Sequence, residues 1–178
     1  MPRLAFLLIA CAALVPGTTL ERLTLEQMAE KATAIVRGRV VGSSTSTWNS
    51  IISTTYTVAV AETLKGPDTQ TVQVSVPGGV AGGVRHSFPG TPDLASGDEY
   101  VFFLWTGKSG RTQIIGLSQG VFQLQADAKG SPSVLRSAST ETMLDPATGA
   151  VITDTPIRMP YSELARRVRN ALEGRAAR

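Results

Sequence analysis

The sequence predicts a mainly β protein with one helix near each end. Apolar and polar residues alternate in several segments, most clearly in TVQVSV at residues 71–76. The apolar run YVFFLW at residues 100–105 indicates a central strand that is buried on both faces. Helical periodicity is found at residues 24–32 and at about 158–174. Together these patterns favour a single β domain flanked by two helices.

The first 19 residues have the features of a signal peptide. Arg3 precedes a 12-residue apolar run, and Pro16, Gly17 and small polar residues follow it. A membrane-spanning helix needs about 20 apolar residues, so we predict no transmembrane helix. The predicted domains are therefore a signal peptide at 1–19 and a mature domain at 20–178, with a secreted or periplasmic location.

The only cysteine of the chain, Cys11, lies inside this apolar run. The local sequence LIAC resembles a lipoprotein cleavage site, but only ten residues precede the cysteine and the apolar run continues beyond it. We therefore interpret Cys11 as part of the signal peptide and do not expect lipid anchoring. Its removal would leave no cysteine for disulfides, thiol catalysis or thiolate metal sites.

The first predicted elements of the mature domain are a helix and a strand. Thr24 and Gln27 have capping-box spacing at the start of a helix that extends to about Ala32. TAIVRGRVV at 33–41 then alternates as a strand, with Ala34 and Val40 on one face. The Ser/Thr-rich segment GSSTSTWNS at 42–50 is predicted to be a polar loop.

The middle of the chain predicts a hairpin followed by further strands. STTYTVAVAETLKG at 53–66 places Tyr56, Val58, Val60 and Leu64 on one face, and a Gly-Pro turn connects it to TVQVSV. RTQIIGL and GVFQLQAD predict two strands joined by a β-turn near Ser118. MLDPATGAVI predicts a small hairpin that turns at residues 146–149.

The predicted C-terminal helix is amphipathic and basic. It is expected to begin near Pro160 and to end at Gly174. Arg166, Arg167 and Arg169 lie off its apolar stripe. We interpret it as a helix packed on the domain with its arginines in water, while contact with an anionic membrane surface is the alternative.

The glycine-rich segment VSVPGGVAGGVRHSFPG at 74–90 contains the only histidine, His86. Val84 stands where a phosphate-binding loop needs lysine, so we exclude that motif. One interpretation is a wide, glycine-permitted turn between strands, and the other is a binding loop. The candidate binding residues are Gly78, Gly79, Gly82, Gly83, Arg85, His86 and, from the Ser/Thr-rich loop, Trp48.

Catalytic and cofactor motifs are weak or absent. Gly116 to Gly120 fit the G-x-S-x-G pattern of serine hydrolases, but no histidine follows Ser118 and the next segment alternates as a strand. One histidine without cysteine does not make a zinc site, and no calcium-loop spacing is present. The formal net charge of +3 gives no reason to expect nucleic acid. We predict no catalytic residue, cofactor or metal.

Two resemblances add to these patterns. The succession AIVRGRVVGS, TTYTVAVAETLKG, VQVSVPGG, GDEYVFFL and IIGLSQGVFQL resembles a family of uncharacterised bacterial secreted proteins over residues 22–126. IVRGRV, YTVAVAETLKG and VQVSVPG are also similar to the first strands of the netrin-like OB barrel of tissue inhibitors of metalloproteinases. The second resemblance implies an OB-like Greek-key β-barrel of five strands with a helix at its side.

These observations lead to three functional hypotheses. The first is an exported, non-enzymatic binding module whose partner is a secreted or envelope protein. The second is an inhibitor or partner of a secreted metalloprotease, although the mature chain lacks the N-terminal cysteine with which those inhibitors reach the protease zinc. The third is a serine hydrolase that uses Ser118.

Overall fold

The mainly β class and the two helices are confirmed by the computed structural model, which describes residues 19–48, 50–126, 130–139 and 141–176. The signal-peptide prediction lies outside the described residues. The helices are α1 (Leu25–Lys31) and α2 (Tyr161–Ala176). The strands are β1 (Thr19–Glu21), β2 (Ala34–Trp48), β3 (Ile51–Lys65), β4 (Thr71–Pro77), β5 (Gly79–Ala81), β6 (Val84–His86), β7 (Glu99–Thr106), β8 (Thr112–Ile114), β9 (Val121–Ala126), β10 (Pro132–Arg136), β11 (Thr142–Leu144), β12 (Val151–Ile152) and β13 (Ile157–Pro160).

Most strands belong to one eight-stranded sheet, in the order β13-β10-β9-β7-β2-β3-β4-β8. Strand β8 also pairs with β7, so the pairings of β7, β2, β3, β4 and β8 form a ring. All pairs in the ring are antiparallel except β4 with β8. Strands β8 and β9 both pair with the same edge of β7, and a one-turn 3₁₀ helix at Leu117–Gly120 connects them.

Two apolar clusters lie on opposite sides of this sheet. The cluster inside the ring has members from all five of its strands. The other cluster lies between the sheet and the two helices, where Leu164 and Val168 of α2 meet Met28 of α1. The apolar stripe of α2 is thus buried in the molecule, as predicted for a packed helix.

The long β2–β3 hairpin corrects the predicted polar loop at 42–50. Strand β2 continues through the Ser/Thr-rich segment to Trp48, which pairs with Ile51. Backbone pairing needs no apolar side chains, and threonine fits the pleated surface well. Three register shifts between β2 and β3 also move the side chains of later residues to the opposite face of the sheet. Leu64, predicted on the face of Val58, therefore packs in the cluster under the helices instead.

Strand β7 agrees with the predicted central strand over most of its length. Tyr100 to Leu104 are buried, with alternate side chains in the two apolar clusters. Trp105 was expected to be buried too, and this is wrong because nearly half of its surface is exposed. It lies where the strand approaches the turn to β8 and packs over Gly107.

The predicted capping box of α1 is confirmed. The Thr24 hydroxyl accepts a hydrogen bond from the Gln27 N–H at 3.1 Å, and the Gln27 side chain accepts one from the Thr24 N–H at 2.9 Å. At the other end of the helix, Lys65 Nζ of β3 donates to the carbonyls of Ala29 and Glu30 at 2.7 and 3.1 Å. Both ends of this short helix are therefore satisfied by polar groups.

Helix α2 begins at Tyr161, directly after the predicted entry at Pro160, but it differs from its prediction at the C-terminal end and in one arginine. Residues 158–160 belong to β13, and the helix passes through Gly174 to Ala176. Arg167 was expected to be in water, but it donates two hydrogen bonds, of 2.9 and 2.6 Å, to Glu26 of α1. Burial opposes ionisation of Glu26, but the bonds and charge of Arg167 help to lower its pKa overall.

Candidate binding surface

The glycine-rich segment forms a tight hairpin rather than the predicted wide turn. Strands β5 and β6 pair antiparallel, with Gly79 opposite His86 and Ala81 opposite Val84. The two residues between the strands, Gly82 and Gly83, have positive φ angles of 56° and 77°. A two-residue turn with both φ angles positive matches the twist of paired strands and requires residues such as glycine.

This hairpin is attached to the end of the β2–β3 hairpin. The Gly78 N–H donates to the Ile52 carbonyl at 2.8 Å, and Thr54 Oγ1 donates to the Gly78 carbonyl at 2.8 Å. Gly79 lies so close to Thr54 Oγ1 that a Cβ at this position would collide with it. The glycines therefore serve both the turn and the close approach of the two hairpins.

Four large apolar side chains are exposed on the two hairpins or directly after β6, and we call this set the apolar tip. Their exposed fractions are 49% for Ile51, 49% for Val80, 52% for Val84 and 39% for Phe88. Arg85 lies opposite Val80 in the hairpin, is exposed, and has no ion-pair partner among the described residues. Val80 and Arg85 lie on the same face of the hairpin, whereas Val84, opposite Ala81, lies on the other face. Exposed apolar side chains beside a cation that has no ion-pair partner among the described residues are common in protein-binding surfaces.

The candidate residues on this hairpin are thus brought together, while one further candidate is only partly placed. Gly78, Gly79, Gly82, Gly83, Arg85 and His86 all lie in or beside the β5–β6 hairpin. The backbone of Trp48 lies opposite Ile51 at the end of the neighbouring hairpin. Its side chain falls outside the described residues. Sequence analysis did not single out the four residues of the apolar tip, because their exposure depends on how the hairpins meet. These residues are Ile51, Val80, Val84 and Phe88.

His86 has a structural contact in this arrangement. Its Nδ1 accepts a hydrogen bond from the Ile52 N–H at 3.4 Å, and its ring meets Phe88 edge-on at 6.5 Å. A cavity of about 300 Å³ beside it is also lined by Tyr56 and Asp93. Burial and then the charge of Asp93 raise the pKa of Tyr56 above its ordinary value. Within the described ranges, no group of three His, Cys, Asp or Glu residues is arranged to hold a metal ion.

Ser118 lies in the 3₁₀ turn between β8 and β9, where a simple β-turn was predicted. Its N–H donates to the Gly90 carbonyl at 3.1 Å. The cavity of about 330 Å³ next to it is lined by Asp98, Tyr100 and Gln123 but, among the described residues, by no histidine. The arrangement therefore offers Ser118 no imidazole base.

The adjacent Gln119 is a structural residue that sequence reasoning missed. It is almost fully buried, accepts a hydrogen bond from the Leu23 N–H at 2.9 Å and donates one to the Glu21 carbonyl at 3.0 Å. Its side chain thus ties the segment between β1 and α1 to the 3₁₀ turn. A buried glutamine carries no local pattern that would have predicted contacts almost a hundred residues away.

A groove of about 590 Å³ lies on another side of the ring, along β4 and the turn from β7 to β8. Ten of its 17 lining residues carry hydroxyl groups, among them Thr55, Thr71 and Thr112. Arg111 is the one charged residue among the described residues that line it, and these include no aromatic ring. The groove therefore offers hydrogen bonds to a polar, uncharged ligand but no stacking platform.

No protein-family model matches the chain. No curated protein matches it. In the part of the chain that the structure describes, no helix has the length and apolar character needed to cross a membrane.

Proposed function

We propose that this protein is an exported, non-enzymatic binding module that recognises a partner protein through the apolar tip. The observation that carries the proposal is the exposure of four large apolar side chains on, or directly after, two hairpins that are hydrogen-bonded to each other. Such a surface is built before the partner arrives, so binding costs little conformational entropy. Arg85 would pair with a carboxylate of the partner, because it has no ion-pair partner among the described residues.

We propose an OB-like Greek-key barrel as the scaffold for this function. The spatial order β7-β2-β3-β4 has three consecutive strands with the fourth returning beside the first, which is the order of a Greek key. Strand β8 joins the two ends of this set, and an apolar cluster lies within it. These features agree with the resemblance to netrin-like OB domains, as does the position of α1 beside the sheet.

A metalloprotease is the second candidate partner. It is favoured by the resemblance to tissue inhibitors of metalloproteinases, and the absence of cysteine after residue 11 means that another device must contact the protease. The apolar tip is the device that we propose for this case as well. Contact with a membrane surface is the weaker proposal, because the apolar stripe of α2 is already buried against α1 and the sheet.

The proposal is tested by capturing partners from the envelope and medium fractions of the exporting cell. The tagged protein is compared with Val80→Asp and Arg85→Glu, and with Val151→Asp as a matched control, because Val151 is 72% exposed on β12 outside the tip. We expect one protein to be retained in stoichiometric amount by the wild type and by the control. Both tip variants should retain at least about tenfold less, since a charge is placed in the contact or reversed there.

Equal capture by the tip variants and the wild type would refute the apolar tip as the binding surface. If the captured protein is a metalloprotease, its activity is measured with increasing amounts of this protein. Stoichiometric loss of activity identifies an inhibitor, and unchanged activity identifies a binding partner only. Loss of capture by the control as well would contradict a localised surface.

A further inference from the structure

The outer edge of β4 can be assigned from the hydrogen bonds at the two ends of the β3–β4 ladder. The Val60 N–H donates to the Gln70 carbonyl at 2.9 Å, and the Gly78 N–H donates to the Ile52 carbonyl at 2.8 Å. Both bonds join residues that lie opposite each other when the register in which Val58 pairs with Val72 is continued. In an antiparallel ladder, hydrogen-bonded pairs alternate with non-bonded pairs. The even-numbered residues of β4 therefore bond to β3.

The backbone groups of the odd-numbered residues of β4 consequently point to the opposite edge. These residues are Thr71, Gln73, Ser75 and Pro77. Proline at position 77 fits this assignment, because a residue on an outer edge needs no N–H for the ladder. Ser75 is paired there with Gln113 of β8. Among the described residues, no strand pairs with the edge at Thr71 and Gln73.

The hydroxyl-lined groove runs along this unpaired edge. Thr71 and Gln73 line one side of it, and Ser109 and Thr112 of the β7–β8 turn and β8 line the other. An exposed strand edge presents N–H and C=O groups in the pattern that another strand requires. The groove thus combines a backbone template with side-chain hydroxyls at a site separate from the apolar tip.

We propose that this groove binds an extended, uncharged peptide segment of a partner protein, which adds to β4 as a further strand beside Thr71 and Gln73. Main-chain hydrogen bonds would supply affinity, and alternate side chains of the peptide would meet the hydroxyl groups of the groove. Among the described residues the lining contains no carboxylate and no aromatic ring, and Arg111 is its one charged side chain, so most of the groove favours small polar side chains. A glycan is less suited, because sugar rings bind best on aromatic faces and do not match a strand edge.

The test selects peptides from a phage-displayed random library on the purified protein. We expect enrichment of uncharged sequences without proline, because each ligand must pair as a strand. A consensus peptide is then synthesised in two forms. One form carries N-methyl groups on its odd-numbered amides, and the other carries them on its even-numbered amides. One set should weaken binding at least about tenfold and the other much less, since only one edge of the added strand faces β4.

The protein variants are Gln73→Pro and, as a matched control, Gln73→Ala. Both lose the side-chain hydrogen bond of Gln73 with Thr57, but only proline removes the N–H that faces the groove. We expect Gln73→Pro to lose binding of the consensus peptide and Gln73→Ala to retain it. Val80→Asp should also retain it, so failure of the tip proposal and failure of this one can be distinguished.

Several results would overturn the proposal. One is a library that enriches no sequence on the wild type relative to Gln73→Pro. Another is a consensus peptide whose two methylated forms bind equally well, a result that needs no protein variant to fold. A concentration-dependent dimer that Gln73→Pro abolishes would instead assign the edge to a second copy of this chain.

Discussion

At the scale of single residues, a few buried polar side chains supplement the two apolar clusters in holding the chain together. Gln119 is the clearest case, because both ends of its amide bind backbone groups of the N-terminal segment. Buried backbone groups that lose their partner are costly, since water cannot replace the lost bond. Gln119 thus helps to fix the end of β1 and the start of α1, in addition to the pairing of β1 with β11 and the capping box of α1.

We predict that Gln119→Leu lowers the free energy of unfolding by about 1–3 kcal/mol, because it keeps the volume but leaves Leu23 N–H and Glu21 C=O without a partner. Urea unfolding measures the loss, and hydrogen exchange should show reduced protection of the Leu23 amide. The matched control is Gln70→Leu, since Gln70 is exposed and should change stability by less than about 0.5 kcal/mol. Unchanged protection at Leu23 would contradict the assigned role.

At the scale of elements, the predictions that are confirmed rest mainly on signals within a few residues, and strands that depend on distant pairing were missed. The capping box of α1 and the turn of the β11–β12 hairpin are encoded within a few residues, and both predictions are confirmed. Strands β10 and β13 were missed because PSVLR and IRMP are too short to show alternation. They are strands because each pairs with a neighbour, and Val134 of β10 is fully buried by that packing.

The candidate site also combines features that are visible in a short segment of the sequence with features that depend on distant pairing. Its glycines, Arg85 and His86 were chosen from one continuous segment, because a run of glycines around a lone histidine is visible in the sequence. The apolar tip also requires Ile51 from another hairpin, and the groove requires strand edges that are about forty residues apart in the chain. Neither surface has a periodic pattern that a sequence could display.

Helix α1 provides a prediction at the element scale. It has only seven residues, too few to be stable in isolation, so contacts at its ends matter. Lys65→Met removes the ammonium that binds the last carbonyls of the helix and should lower the free energy of unfolding by about 1 kcal/mol. Lys108→Met in the exposed β7–β8 turn is the control. Equal effects of the two variants on thermal unfolding would refute the capping role.

At the scale of the whole molecule, charged residues add further links between elements that the apolar cluster under the helices already joins. Arg37 of β2 contacts Glu62 of β3 and Glu99 of β7, at 3.4 and 3.0 Å, and its guanidinium lies 5.1 Å from the Tyr161 ring centre. Tyr161 of α2 in turn donates to Glu62 at 2.7 Å. Burial, and then this hydrogen bond, raise the pKa of Tyr161 and keep its hydroxyl protonated. One cluster thus links three strands to the C-terminal helix.

A second, fully buried ion pair fixes the segment between β12 and β13. Arg136 of β10 donates to Asp154 at 2.8 Å, and the Ser139 N–H donates to the other carboxylate oxygen at 2.8 Å. Burial opposes ionisation of Asp154, but the hydrogen bonds from Arg136 and Ser139 and the charge of Arg136 outweigh it and lower its pKa. Because the pKa is lower in the folded state, the carboxylate stabilises the fold at neutral pH.

The sign of the pH effect follows from this shift. The contribution of Asp154 is fully present above its unfolded pKa of about 3.9 and is lost as the pH falls through the lower folded value. At pH 7, Asp154→Asn should cost about 3–5 kcal/mol, because it leaves the buried Arg136 without a countercharge. The double variant Arg136→Met/Asp154→Leu should recover most of that loss, since apolar residues of similar volume replace the pair.

Urea unfolding from pH 7 to pH 2.5 measures both effects. The gap between wild type and Asp154→Asn should narrow below about pH 4, because protonation of Asp154 then removes the same charge from the wild type. A gap that stays constant across this range would mean that the ion pair contributes through shape and not through charge.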